Sequence, residues 1–154
     1  MYDLNSFLQN NSDKKIVVVQ GLGFVGSVMS LVCANAINGN YAVFGVDLPT
    51  DRGKKIIDDL NNGLFPLDAE DPKIDEFYQN TINKGNFFAT SDEKAYCFAD
   101  VIIVDINLDV EKNNDISGAL VDFNIDLTGF KRSITTIGEN CKQNTLILVE
   151  TTVP

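Results

Sequence analysis

The apolar positions of this chain follow two rhythms. One is a set of short, uninterrupted runs. Ile16-Val17-Val18-Val19, inside 15–20, is β-branched throughout, as in a central strand covered on both faces. Tyr41–Val46, Asn86–Thr90, Val101–Val104 and Thr145–Val149 predict four further strands. The other rhythm is helical. Val28, Leu31, Val32 and Ala36 form one face of a helix over 25–37, stopped by Asn38-Gly39-Asn40. The spacing also predicts helices over 54–60, 72–82 and 128–140, with Pro72 in a first turn and Asn61-Asn62-Gly63 as a stop. Ser91 is placed to cap a helix running to about Phe98, while 105–117 is polar and reads as a long loop.

Strands alternating with helices imply βαβ units, right-handed crossovers and a parallel sheet. The expected fold is therefore a Rossmann-type, doubly wound, mostly parallel α/β sheet with helices on both faces. It occupies residues 15–154. Residues 1–14 are polar and Asn-rich, and read as a loosely attached arm or a short helix. The sequence stops directly after a strand, where an α/β domain rarely ends, so a piece of a longer protein is expected.

Composition narrows the function. The 154 residues carry 12 basic and 22 acidic side chains, a formal charge of −10. A nucleic-acid binder needs a basic face, so that class is disfavoured, and so is an anionic membrane surface. No apolar run approaches a membrane span, and the first residues hold no signal-peptide apolar segment. Cys33, Cys97 and Cys141 are widely spaced, which argues against a disulfide framework or zinc site and fits a reducing cytoplasm. The chain has no histidine, so Ser-His-Asp and Cys-His catalysis are excluded within it. Cys33 and Cys97 read as packing residues. The acidic cluster Asp68, Glu70, Asp71, Asp75 and Glu76 reads as a solvated face, and no metal is expected. Phe87, Phe88, Tyr96 and Phe98 read as core or interface.

The sharpest chemical signal is Gly21-Leu22-Gly23-Phe24-Val25-Gly26, a G-x-G-x-x-G run between a strand and a helix. Gly21 makes the tight turn, Gly23 admits a pyrophosphate to the backbone, and Gly26 lets helix and strand pack closely. The helix N-terminus then offers free N–H groups and a partial positive charge to the phosphates. Asp47 follows Gly26 by 21 residues at the end of the second strand, where a carboxylate accepts from the adenosine ribose hydroxyls. A carboxylate there favours NAD over NADP, whereas nearby Arg52 is of the type that accommodates a 2′-phosphate. Asp105, Asp109 and Glu111 lie beyond the fourth strand, at the sheet edge where ligands bind.

With those residues in place, the chain resembles the NAD-binding domain of the UDP-glucose/GDP-mannose dehydrogenase family. The strand and loop Ile16–Gly26 are similar to the family's opening, and Gly45-Val46-Asp47 to its G-x-D. Leu60-Asn61-Asn62-Gly63 with Pro66, Ala99-Asp100-Val101-Ile102-Ile103-Val104, and Val149-Glu150-Thr151-Thr152-Val153-Pro154 match further segments in order. The resemblance implies an enzyme that oxidises a nucleotide-sugar alcohol to a carboxylate in two NAD-dependent steps. It implies that Thr152 sits near nicotinamide and substrate, with Thr151 in the place of the family's serine. It also implies a homodimer when complete, and a catalytic cysteine and substrate domain beyond Pro154, so that this piece alone is inactive. Two departures stand out: Asp105-Ile106-Asn107-Leu108-Asp109 replaces the family's V-P-T-P, and the stretch around 50–55 reads as an insertion. Rival readings are a hydroxyacid or 6-phosphogluconate type of NAD-dependent dehydrogenase, and a non-catalytic nucleotide-binding module.

Overall fold

The computed structural model describes residues 3–67, 70–108 and 110–151. In chain order the elements are α1 (Leu4–Asn10), β1 (Lys15–Gln20), α2 (Phe24–Ala34), β2 (Tyr41–Val46), α3 (Asp51–Asn61) and α4 (Pro72–Lys84). There follow β3 (Phe87–Thr90), a 3-10 turn (Glu93–Phe98), β4 (Val101–Val104), β5 (Val110–Asn114), β6 (Leu120–Ile125), α5 (Thr128–Asn140) and β7 (Leu146–Val149).

Five strands form one parallel sheet in the order β3-β2-β1-β4-β7. The order reverses once, between β1 and β4, which is where a doubly wound sheet opens a crevice at its carboxyl edge. The β-branched run of β1 explains its central place. Ile16 and Val18 face one layer, with Phe7, Phe44, Tyr96 and Ile137. Val17 and Val19 face the other, against Ala34 of α2. Helices α2, α3 and α4 cover this second face, with Leu31, Ile56, Leu60, Ile74 and Tyr78 in its core. Among the described residues, no helix is long and apolar enough to cross a membrane.

The predicted strands and the helices over 54–60, 72–82 and 128–140 are present, with small shifts at their ends. Pro72 does open α4, capped by Asp71. Of the two readings of the polar start, the short helix is present as α1, whose Phe7 is fully buried and stacks near Phe44 and Phe88. Three local expectations are corrected. Helix α2 ends at Ala34 instead of 37, because the Asn35 side chain turns back to Leu31 O and across to Phe77 O and Thr81 Oγ1. Asp92, not Ser91, caps the segment that follows β3, and that segment is a 3-10 turn with Cys97 exposed on it rather than packed. The supposed loop 105–117 contains β5, which pairs antiparallel with β6 outside the main sheet. The acidic positions Glu70, Asp71, Asp75 and Glu76 are exposed, while Asp68 lies outside the described residues.

Candidate functional site

The glycine loop leaves β1 at the switch between β1 and β4. Gly21 has φ +96°, in the left-handed region that disfavours side chains, and a Cβ there would stand 2.2 Å from the Asp105 carbonyl oxygen. A Cβ on Gly26 would stand 1.8 Å from Gly21 O. These two glycines are required by packing. Gly23 is different: a Cβ there would meet nothing within 4 Å, and Gly23 starts α2 with no side chain capping the helix. The helix therefore presents its first-turn N–H groups and the positive end of its dipole to open space. The exposed Phe24 and Val25 flank that space.

Asp47 is held by the loop it faces. Its Oδ2 accepts from Leu22 N at 2.8 Å and its Oδ1 from Leu48 N at 2.7 Å. A carboxylate has about four acceptor positions, so two remain for another donor. The stretch after Asp47, read as an insertion, forms the start of α3: Thr50 caps it by accepting from Gly53 N, and Arg52 lies in its first turn. A Cβ on Gly53 would stand 2.0 Å from Leu48 O, so this turn closes tightly on the end of β2.

Nine residues singled out from the sequence line one cavity of about 750 Å³: Gly21, Gly23, Phe24, Val25, Gly26, Asp47, Arg52, Asp105 and Thr151. Its size lies within the range of small-molecule sites. Thr152 lies outside the described residues, as does Asp109; Glu111 is exposed on β5. Thr151 is buried, and its hydroxyl accepts from Ile106 N at 2.9 Å and donates to Val104 O at 3.3 Å. It thereby ties the end of β7 to the segment after β4.

The cavity also takes residues that the sequence reading did not single out. Gln20 forms part of it at the end of β1, hydrogen-bonded to the Tyr96 hydroxyl. Gly129 and Ser133 enter from α5, and Glu150 from the end of β7. Position at a strand end could have flagged Gln20 and Glu150. Nothing local marks Gly129 or Ser133, because their place depends on how α5 crosses the sheet.

The model of the UDP-glucose/GDP-mannose dehydrogenase family, NAD binding domain, matches residues 14–154. The chain belongs to this family. It is the family's NAD-binding domain, and its cofactor is NAD. No curated protein sequence matches the chain. Among solved structures it is similar to an NDP-N-acetyl-D-galactosaminuronic acid dehydrogenase from Methanosarcina mazei Go1. That match has a TM-score of 0.74 and 24% identity, over 99% of this chain and 30% of that one. It is also similar to a UDP-D-ManNAc dehydrogenase from Pyrococcus horikoshii, with a TM-score of 0.67 and 22% identity over 90% and 29% of the two chains. A GDP-mannose dehydrogenase from Pseudomonas aeruginosa aligns with a TM-score of 0.63 and 23% identity, over 89% and 28%. At these identities the likeness shows the Rossmann fold of this family domain. The chain spans about 30% of the length of these dehydrogenases or slightly less.

Proposed function

We propose that the cavity at the β1–β4 switch is the NAD site, and that the chain is the cofactor half of an enzyme oxidising a nucleotide-sugar alcohol to the uronate. One observation carries this reading: the residues named from the sequence pattern converge on a single cavity whose uncapped helix start faces open space at Gly23. The chemistry of that lining suits a dinucleotide. The pyrophosphate takes the N–H groups of the Gly21–Gly26 loop, where a side chain at position 23 would intrude. The adenosine ribose donates to the free acceptor positions of Asp47. Arg52 adds one positive charge at the same end. Asp47 disfavours a 2′-phosphate by like-charge repulsion, so NAD is taken over NADP.

When bound, NAD supplies the hydride acceptor. The chain's own residues hold and orient it. Thr151 fixes the end of β7 through its two backbone bonds, and Thr152, which follows it, is assigned to the reacting end. The nucleophilic cysteine and the sugar-binding surface belong to a further domain, as the partial span of the related dehydrogenases suggests. The 154-residue chain is therefore expected to bind cofactor and to turn over no sugar nucleotide.

Titration calorimetry with NAD and NADP tests the site. NAD should bind, NADP more weakly, and Asp47→Ala should lose about tenfold or more in NAD affinity, by removing a charge-assisted contact. Asp47→Asn keeps an acceptor for Leu22 N and controls for loop damage. Equal NAD affinity in wild type and Asp47→Ala would remove Asp47 from the site.

A further inference from the structure

Asp105 follows β4 directly and enters the cavity beneath the glycine loop. Its backbone N donates to Gln20 O at 2.8 Å, which anchors it to the end of β1. Its carbonyl oxygen is the atom that forbids a side chain at Gly21, and its Oδ2 would lie 3.5 Å from a Cβ on Gly26. This carboxyl therefore sits against the glycine loop, close to the first turn of α2. Its Oδ2 is sealed from solvent and has no hydrogen-bond partner. A carboxylate oxygen in that position is costly to keep charged.

Charged groups surround the cavity on several elements. Glu150 stands at the end of β7, Asp47 at the end of β2 and Arg52 on α3, while α5 contributes the uncharged Gly129 and Ser133. Burial first, and then the negative charge of Glu150, push the Asp105 carboxyl above its ordinary value of 3.8. On α2, burial and the same Glu150 push up the Cys33 thiol.

Resting on the reading that the pyrophosphate lies on the Gly21–Gly26 loop, we propose that Asp105 makes NAD binding proton-linked. The dinucleotide enters with its phosphates near a protonated Asp105, and ionised Asp105 opposes it. A carboxylate beneath the loop repels the phosphates through space, whereas the neutral carboxyl carries no charge to oppose them. The proton comes from solvent. Binding then raises the affinity of Asp105 for that proton further, so uptake accompanies NAD, and NAD affinity falls as pH rises through the titration of the carboxyl.

The test is calorimetry of the 154-residue chain with NAD from about pH 4, near the ordinary carboxyl value, to about pH 8, in paired buffers of different ionisation heat, for wild type and Asp105→Asn. The wild type should take up a fraction of a proton per NAD and lose several-fold in affinity as pH rises through the Asp105 titration, whereas Asp105→Asn should show little slope and bind more tightly than wild type at the alkaline end. Glu150→Gln and Asp47→Asn separate the other carboxyls. Carboxyl-carbon NMR of the wild type gives a second readout: the Asp105 midpoint should move up when NAD is added, and this decides the matter should Asp105→Asn fail to fold. Equal slopes in wild type and Asp105→Asn would overturn the proposal while leaving the NAD site standing. Proton release, with affinity rising with pH, would overturn it and make Asp105 an acceptor for ribose hydroxyls. No NAD binding at any pH would overturn the site reading itself, and this inference with it.

Discussion

At the scale of single residues, the three loop glycines divide by what surrounds them. Gly26 has a neighbouring backbone oxygen where a methyl would go, and Gly23 has open space. Gly26→Ala should therefore destabilise the fold by about 2 kcal/mol or more, through overpacking against backbone that cannot yield. Gly23→Ala should cost the fold about 1 kcal/mol or less, as a helix-cap change, yet weaken NAD binding at least about tenfold by filling the phosphate space. Thermal melts and calorimetry on both variants check this; a Gly23→Ala protein that binds NAD normally would place the phosphates elsewhere. These glycines and Asp47 were legible because strand, loop and helix are contiguous in the chain. The bridging role of the Thr151 hydroxyl was not. It depends on β4 and β7 being neighbours, and they lie more than 40 residues apart.

At the scale of elements, the five main strands were legible as continuous apolar runs; β1, β2 and β4 are buried as such runs should be, whereas β7 is an apolar edge strand left exposed. The β5–β6 hairpin was not legible, since it contributes nothing to the buried core and its residues are exposed or half-exposed. Its signal lay instead in the turn. Asp115 accepts from Ser117 N, Ser117 Oγ and Ala119 N, and Gly118 takes φ +84°. A two-stranded hairpin is marginal by itself, so this turn sets its stability. Asp115→Ala should speed amide exchange across 110–125 by about fivefold, the loss of roughly 1 kcal/mol of side-chain bonding, and leave exchange in the parallel sheet unchanged. Equal acceleration in both would show the hairpin to be integral to the core. The docking of α1 escaped notice for a related reason: one buried phenylalanine in a polar segment sets up no periodicity.

At the scale of the whole molecule, a doubly wound parallel sheet followed from alternating elements and crossover handedness; the strand order itself is a matter of long-range pairing, and its single reversal locates the cavity. Charge acts at this scale too. The chain carries −10 overall and receives a ligand with two anionic phosphates. Local attraction at α2 and Arg52 therefore works against a repulsive field. Salt screens the distant charges more than the contacts, so raising NaCl from about 20 to about 200 mM should strengthen NAD binding about two- to threefold. Binding that weakens with salt would mean that the local attraction outweighs the overall field.

The bond between Gln20 and the Tyr96 hydroxyl gives the molecule an alkaline boundary. The chain has four tyrosines and no tryptophan. Burial pushes the Tyr78 phenol up to about 12 and holds that of Tyr96 higher still. Both phenols donate to buried acceptors, Tyr78 to Leu60 O. Their ionisation is suppressed in the folded chain and free in the unfolded one, so the stability they confer is whole below about pH 10 and drains away above it. Ultraviolet difference titration should show these two phenols ionising late and together with loss of the circular dichroism of the sheet. Since Gln20 lines the cavity proposed for NAD, the pocket and the fold should fail at one pH, as a single event seen by two probes.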